Sequence, residues 1–356
     1  MSAARIVLLG ATGYTGRLTA EAMVARGERP VLAGRRPAPL AALAQELGGL
    51  ETALADVRSE DTLRALVAPG DVLVSTVGPF GRWGDAAVHA AVDAGAGAYL
   101  DCAAEPAFVR RVFERHARAR IPLLTAFGWE SVPGNLAAEL ALREAPDAAR
   151  VDVGYFITGD ARGWMSGGTR ASMAGALLEP GFAWRNGIRT ERGGARVRTF
   201  DVDGRRRTAL SAASSEHYAL PRTHPRLREV NTYLGWFGRA SRPLQALSVI
   251  GAGARRLPGL RRAVTALASG STGGPDPQTR AGTTWHVAAL AYDGGGAEIA
   301  RARLSAGNGY DFTARILAWG AARAALGLDR AGPLGPVEAF GLDSLEAGCA
   351  GAGLHR

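Results

Sequence analysis

The sequence predicts an α/β chain, a doubly wound parallel sheet followed by a second, mixed α+β domain, on three observations. Short apolar runs alternate with helical patterns through roughly the first 135 residues. A glycine-rich turn separates the first apolar run from the first helical pattern. After Pro133 the alternation stops, and strand-like texture with turn signals takes over. Strands alternating with helices bury their apolar surfaces as a parallel sheet with helices on both faces.

The strand candidates of the first part are RIVLLG from Arg5, VLAGR from Val31, DVLVSTVG from Asp71, AYLDC from Ala98 and IPLLTAF from Ile121. Helices are expected at about residues 14–26, 37–48, 59–68, 84–94 and 105–119. In the first helix Leu18, Ala22 and Ala25 form the expected apolar stripe, while Arg17 and Glu21 pair across one turn on the wet side. Beyond Pro133, VDVGYFIT from Val151 reads as a strand, and ARVRTFDVDGRRRTAL as a hairpin turning at Asp203-Gly204. Residues 166–178 read as a Gly-Gly entry into a helix. TTWHVAALAY and AEIARARLSA read as strands joined through Asp293 and three glycines, and Tyr310 to Leu326 as the last long helix. The expected divisions are residues 1–132, 133–325 and a tail, 326–356, that packs back on the first domain.

With 356 residues, 47 % of them hydrophobic, the chain can fill two packed domains and does not read as disordered. It shows no run of about 18 uncharged apolar residues and no cleavage site, so neither a membrane span nor a signal peptide is expected, and a cytoplasmic location follows. Cys102 and Cys349 stand far apart, and the six histidines lack ligand spacing, so neither a disulfide nor a metal is expected. The net charge is +9, and all 42 basic residues are arginine. The absence of lysine excludes a Walker-A lysine, a Schiff-base lysine and a Tyr-x-x-x-Lys catalytic pair. The excess arginine fits an anionic ligand or mere codon bias. It is dispersed and accompanies no recognition motif, so nucleic acid is not an expected partner.

The turn reads Gly10-Ala11-Thr12-Gly13-Tyr14-Thr15-Gly16. Glycine at these points lets the chain turn sharply, brings main-chain N–H groups toward a diphosphate and lets helix pack against strand. The helix N-terminus adds unpaired N–H groups and the positive end of its dipole. This is the sequence form of a Rossmann dinucleotide site, with a structural turn as the competing reading. The second strand ends Ala33-Gly34-Arg35-Arg36, with no acid to take ribose hydroxyls and two guanidiniums able to grip a 2′-phosphate. The expected cofactor is therefore NADP(H); two arginines solvating a loop would look the same. Asp56 stands where such folds contact the adenine, and Thr76, Gly78 and Pro79 border the nicotinamide half at the carboxyl edge of the sheet.

GATGYTG, AGRR, STVGPFGRWG, YLDCAAEPAFVRR and GWESVPGN together resemble the saccharopine dehydrogenase-like oxidoreductases, in particular their trans-acting enoyl reductase branch. Asp101, Glu105, Gly128, Ser131, Val132 and Pro133 match the family pattern, whereas Cys102, Ala103, Ala104, Trp129 and Glu130 depart from it. SGGTRAS from Ser166 and YDFTARI from Tyr310 look like the family's second domain. The resemblance implies a substrate pocket in that domain and reduction with NADPH. It leaves the substrate open between a lipid or polyketide intermediate, an acyl thioester on a carrier, and another small molecule with an enoyl or carbonyl group.

The candidate catalytic residues are Glu130 and Ser131, which follow the last strand of the first domain, and Tyr310. Tyr155, Thr169 and His217 are weaker candidates, and Asp101 and Glu105 are expected to cap helices. A non-catalytic NADP(H)-binding redox sensor is the alternative function. Residues 242–269 mix aliphatic residues with arginines and read as a helical lid over the cleft or as an amphipathic contact with an anionic membrane. A homodimer stays open.

Overall fold

The first four strands, β1 (Ile6–Leu9), β2 (Val31–Gly34), β3 (Thr52–Leu54) and β4 (Val72–Ser75), alternate with α1 (Tyr14–Ala25), α2 (Pro37–Glu46) and α3 (Glu60–Leu66). Then come α4 (Phe80–Ala94), β5 (Ala98–Asp101), α5 (Pro106–Arg115) and β6 (Pro122–Leu124). The computed structural model describes residues 4–160, 162–178, 181–192, 195–238, 241–246 and 273–356. The strand order β6-β5-β4-β1-β2-β3 is wholly parallel, the arrangement of a doubly wound fold with its switch point between β1 and β4. β1 and β4 are buried along their whole length, as strands covered on both faces must be.

α1 faces the sheet with Gly16, Thr19, Ala20 and Met23, whereas Leu18 and Ala22 are half-buried and Ala25 is exposed. The expected stripe is thus rotated, and the reason is steric. A Cβ at Gly16 would lie 2.1 Å from the Gly10 carbonyl oxygen, so Gly16 sits against the turn and positions three, four and seven residues on follow it inward. Arg17 and Glu21 do pair, at 2.9 Å.

α6 (Val132–Glu144) leads out of the first sheet and is buried on every side from Val132 to Leu142. It packs beneath the second sheet, whose elements are β7 (Arg150–Gly159), α7 (Gly167–Leu178), β8 (Gly181–Arg185), β9 (Ile188–Arg192), β10 (Val197–Val202) and β11 (Arg205–Ala212). They are followed by α8 (Glu216–Thr223), β12 (Glu229–Leu234), α9 (Pro277–Ala281), β13 (Thr283–Tyr292) and β14 (Glu298–Ala306). β10 and β11 turn at Asp203-Gly204, both with positive φ, which matches the strand twist of a two-residue hairpin. β13 pairs antiparallel with both β7 and β14.

α10 (Gly309–Ala324) returns to the first sheet, packing along α1 and against β4 and β5. The chain ends with β15 (Gly332–Pro333), α11 (Pro336–Phe340), α12 (Leu342–Gly351) and β16 (Leu354–His355). β15 extends the first sheet beside β6, and β16 extends the second beside β14. One continuous core, from Leu8 and Met23 through Phe312 and Leu317 to Val153 and Val287, therefore joins both sheets. A second core lies under α3, α4 and α5. No described helix is long and apolar enough to cross a membrane. Most of the 242–269 segment, from residue 247 on, lies outside the described residues.

The seam between α10 and the first sheet is tight at Gly320, where a Cβ would lie 2.5 Å from the Phe127 ring. Gly320→Ala is expected to destabilise the fold by about 1–3 kcal/mol through overpacking. A denaturation midpoint equal to or above that of the parent would contradict this packing.

Candidate functional site

A groove of about 840 Å³ runs along the carboxyl edge of the first sheet. Its floor is the glycine turn. Gly10 takes φ +90°, and its carbonyl accepts from Gly13 N at 2.9 Å. Thr76 fastens the turn from β4's end, its hydroxyl donating to Leu9 O at 3.1 Å. Gly10, Thr12, Gly13, Tyr14 and Thr15 line the groove, as do Thr76 and Gly78. Gly16 lies beneath the turn, and Pro79, joined to Gly78 by a cis peptide bond, precedes α4. The N-terminal N–H groups of α1 face this space without a side-chain cap, which suits an anionic diphosphate.

Arg35 and Arg36 line the end of the groove next to β2, both exposed, and neither donates a hydrogen bond to another described residue. Asp56 does not join them. The groove is lined by Ala55 and Val57 on either side of it, while its carboxylate is taken by Arg58, 2.6 Å from Oδ2. Those bonds hold Asp56 down to about 2.

The far wall comes from the second half of the chain, which the sequence did not announce. Gly273, Gly274, Pro275, Asp276 and Arg280 border the groove. Tyr14 donates to Pro275 O at 2.6 Å, and Arg280 donates to Tyr14 Oη at 3.2 Å and to Pro275 O at 3.1 Å. Gly273 O accepts from Gly167 N at 2.9 Å, tying the same strap to α7. At Gly274 a Cβ would lie 2.6 Å from the Tyr14 ring, so glycine permits the close approach.

At the end of β4 the groove continues into a junction of about 90 Å³, sharing Thr15, Thr76, Gly78, Ser166 and Gly168 with it. Glu130 stands here, half-buried, and no other described side chain bonds to its carboxyl. Burial pushes it up to about 7. Tyr310 also lines the junction. Its hydroxyl accepts from Ser166 N at 2.8 Å and lies 2.7 Å from Thr169 Oγ1, and burial raises its phenol. Burial likewise pushes up the Cys102 thiol, a junction residue the sequence reading did not select.

The loop that carries Glu130 is clamped at several points. Asp101 Oδ1 accepts from Ala126 N at 2.9 Å and Thr125 Oγ1 at 3.1 Å, stapling the end of β5 to the segment after β6. Trp129 donates from its main chain to Thr313 Oγ1 at 3.0 Å and packs edge-on to Trp285 and Phe312. Glu105 does not cap its own helix. Its Oε1 accepts from Phe80 N at 2.8 Å and Ser172 Oγ at 2.7 Å, holding the start of α4 against α7.

Ser131 is a correction. Its side chain is buried, pairs with the Ser215 hydroxyl and accepts from Asn135 Nδ2 at 3.2 Å, and it lines neither the groove nor the junction. The adjacent peptide turns Glu130 outward and Ser131 inward. His217 also lies elsewhere, in a surface cleft with Phe113 and Tyr218.

Past Glu130 lies a chamber of about 100 Å³, which shares Ala104, Glu130, Thr169 and Ser172 with the junction. Tyr155 is on its wall and donates to the buried Glu216 at 2.5 Å.

Glu130 makes stability depend on pH. The unfolded carboxyl ionises near 4.5 and the folded one near 7, so the folded state holds the extra proton between these values. This contribution is complete below pH 4.5 and is lost as pH rises through 7. Glu130→Gln is expected to shallow the fall in urea-derived stability across that window; an unchanged slope would show the carboxyl to be ordinary.

Comparison with known proteins agrees with this geometry. Residues 10–114 match the family model described as NAD(P)H-binding. A protein of Mycobacterium tuberculosis (strain ATCC 25618 / H37Rv) that carries a provisional trans-acting enoyl reductase name is 36 % identical over 187 residues. The trans-acting enoyl reductase of Mycobacterium ulcerans (strain Agy99) is 32 % identical over 187 residues. Each match covers 48 % of this chain and 44 % of the relative, so the chain spans less than half the length of these proteins. Apo saccharopine dehydrogenase (L-Glu forming) of Saccharomyces cerevisiae superposes with a TM-score of 0.56 over 96 % of each chain, at 12 % identity. Residues 10–114 are thus an NAD(P)H-binding domain, in a chain that has the saccharopine dehydrogenase fold and is a sequence relative of the trans-acting enoyl reductases.

Proposed function

We propose that this chain is an NADPH-dependent oxidoreductase that reduces an enoyl or carbonyl group of a small molecule, an acyl thioester on a carrier being one form, with Glu130 as the proton donor. One observation carries the reading. The dinucleotide groove opens into a junction where a carboxyl without a side-chain partner keeps its proton to about 7. The enoyl reductase name of the relatives agrees with it.

NADPH, once bound, supplies a hydride. The residues of the chain do the rest. The glycine turn and the N-terminus of α1 hold the diphosphate, and Arg35 and Arg36 take the 2′-phosphate by charge-assisted hydrogen bonds. No acid stands at the end of β2 to repel that phosphate. Thr169 and Tyr310 hydrogen-bond the acceptor's oxygen, since their paired hydroxyls leave one proton to offer. Glu130 gives its proton to the atom that receives the electron pair. A redox sensor would need the groove alone, whereas here two further cavities continue beyond it.

Replacing both Arg35 and Arg36 with alanine is expected to weaken NADPH binding about tenfold or more while leaving NADH binding unchanged. Calorimetry with both nucleotides checks this, and an equal loss for the two would remove the 2′-phosphate assignment. Glu130→Gln is expected to lower kcat about 10²-fold or more with the NADPH affinity intact. In the parent, kcat should fall as pH rises through about 7, where Glu130 loses its proton. NADPH oxidation followed across enoyl and keto thioesters tests both, and saturable NADPH binding without turnover of any of them would favour the sensor.

A further inference from the structure

The three cavities lie in a row, and the last of them has walls that define what enters it. Pro106, Val109, Ala126, Met173, Leu234 and Trp236 supply its apolar surface. Six hydroxyl residues also line it: Thr169, shared with the junction, pairs with Tyr310, Ser172 donates to Glu105 at 2.7 Å, and the other four turn their hydrogen bonding into the protein. Tyr155 and Ser214 donate to Glu216, each at 2.5 Å; Ser215 pairs with Ser131, and Thr232 donates to Ala212 O at 2.5 Å. Among the described residues the chamber's lining holds no arginine or histidine, and its one ionisable acid is Glu130. A carboxylate entering here would lose its water and find no cationic side chain.

We propose that the chamber receives a short, uncharged hydrocarbon substituent of the acceptor, up to about four carbons long, with Trp236 and Met173 among its walls. The inference rests on the reductase reading above and deepens it by naming the substrate class. The volume sets the length. The chamber's ~100 Å³ is three to four times the ~30 Å³ that one water occupies in the liquid, a volume close to that of a methylene. One wall is held in place, because Trp236 packs edge-on to Trp164 at 5.3 Å. Trp164 packs on Trp285 at 5.4 Å, and Trp285 on Trp129 at 5.4 Å, next to Glu130. The same chain of rings thus joins a wall of the chamber to the residue beside the acid. A carboxylate end group has no cationic partner in these walls.

The test titrates the cofactor-loaded protein with saturated thioesters of N-acetylcysteamine whose β-alkyl group grows from methyl to octyl. Affinity should rise about fourfold per carbon up to propyl or butyl, then level or fall at hexyl and octyl. A carboxylate at the chain end should weaken binding at least about tenfold. Trp236→Ala and Met173→Ala should extend the rise to longer chains, and Ala213→Leu should end it earlier, all with the parent's NADPH affinity. Binding indifferent to length between methyl and butyl, a rise that continues to octyl in the parent, or equal binding of the carboxylate series would overturn the proposal. The two readings fail separately. A length profile without NADPH oxidation on the matching enoyl and keto compounds leaves the chamber and removes the reductase; oxidation with a flat profile does the reverse.

Discussion

The geometry of the junction depends on the burial of the two residues that flank Glu130. Trp129 is locked among Trp285 and Phe312, and Ser131 is drawn into the Ser215 and Asn135 network, so the peptide between them has one direction left for its side chain. That direction is the cavity. A carboxyl held where no side chain can donate to it is an unfavourable arrangement on its own. It persists because the surrounding contacts over-determine it: the Asp101 staple below, the Thr313 hydroxyl behind, and the aromatic cluster on one side. Asp101 itself is pushed up by burial to about 6, so even this supporting carboxyl is held in a poorly hydrated place.

The same supports explain why the two sheets act as one body. Thr313, which holds Trp129, belongs to α10, and α10 packs on α1 beneath the glycine turn. A helix encoded after the second sheet thereby completes the helical layer of the first. β15 and β16 carry the logic to the end of the chain, one short strand sewn into each sheet. The site between the sheets is built from residues that are distant in sequence and share one core.

Much of the first sheet was legible in the sequence because its rules are local. Alternating apolar runs and helical patterns give the parallel order, and the glycine turn states its own backbone demands at Gly10 and Gly16. The hairpin at Asp203-Gly204 was readable for the same reason. What was hidden depends on long-range contacts. Nothing in GWESVPGN says whether Glu130 or Ser131 faces outward, because the choice is made by Ser215 and Trp285, far along the chain. The Glu105 carboxylate looked like a cap for its own helix and instead serves α4 and α7. Arg280 and the segment before it carry no motif, and the bond from Tyr14 to Pro275 spans 261 positions. The α1 stripe that hydrophobicity alone suggests is rotated by the steric demand of Gly16.

The strap from Gly273 to Asp276 bears on kinetics as much as on architecture. It is pinned at one side by the phenol of Tyr14 and at the other by the main chain of Gly167, so it crosses from the first helix to α7 along the edge of the groove. Each of these hydrogen bonds is worth about 1 kcal/mol, so parting of the strap from the rim is a local event whose rate is set by two contacts, apart from those that shape the glycine turn.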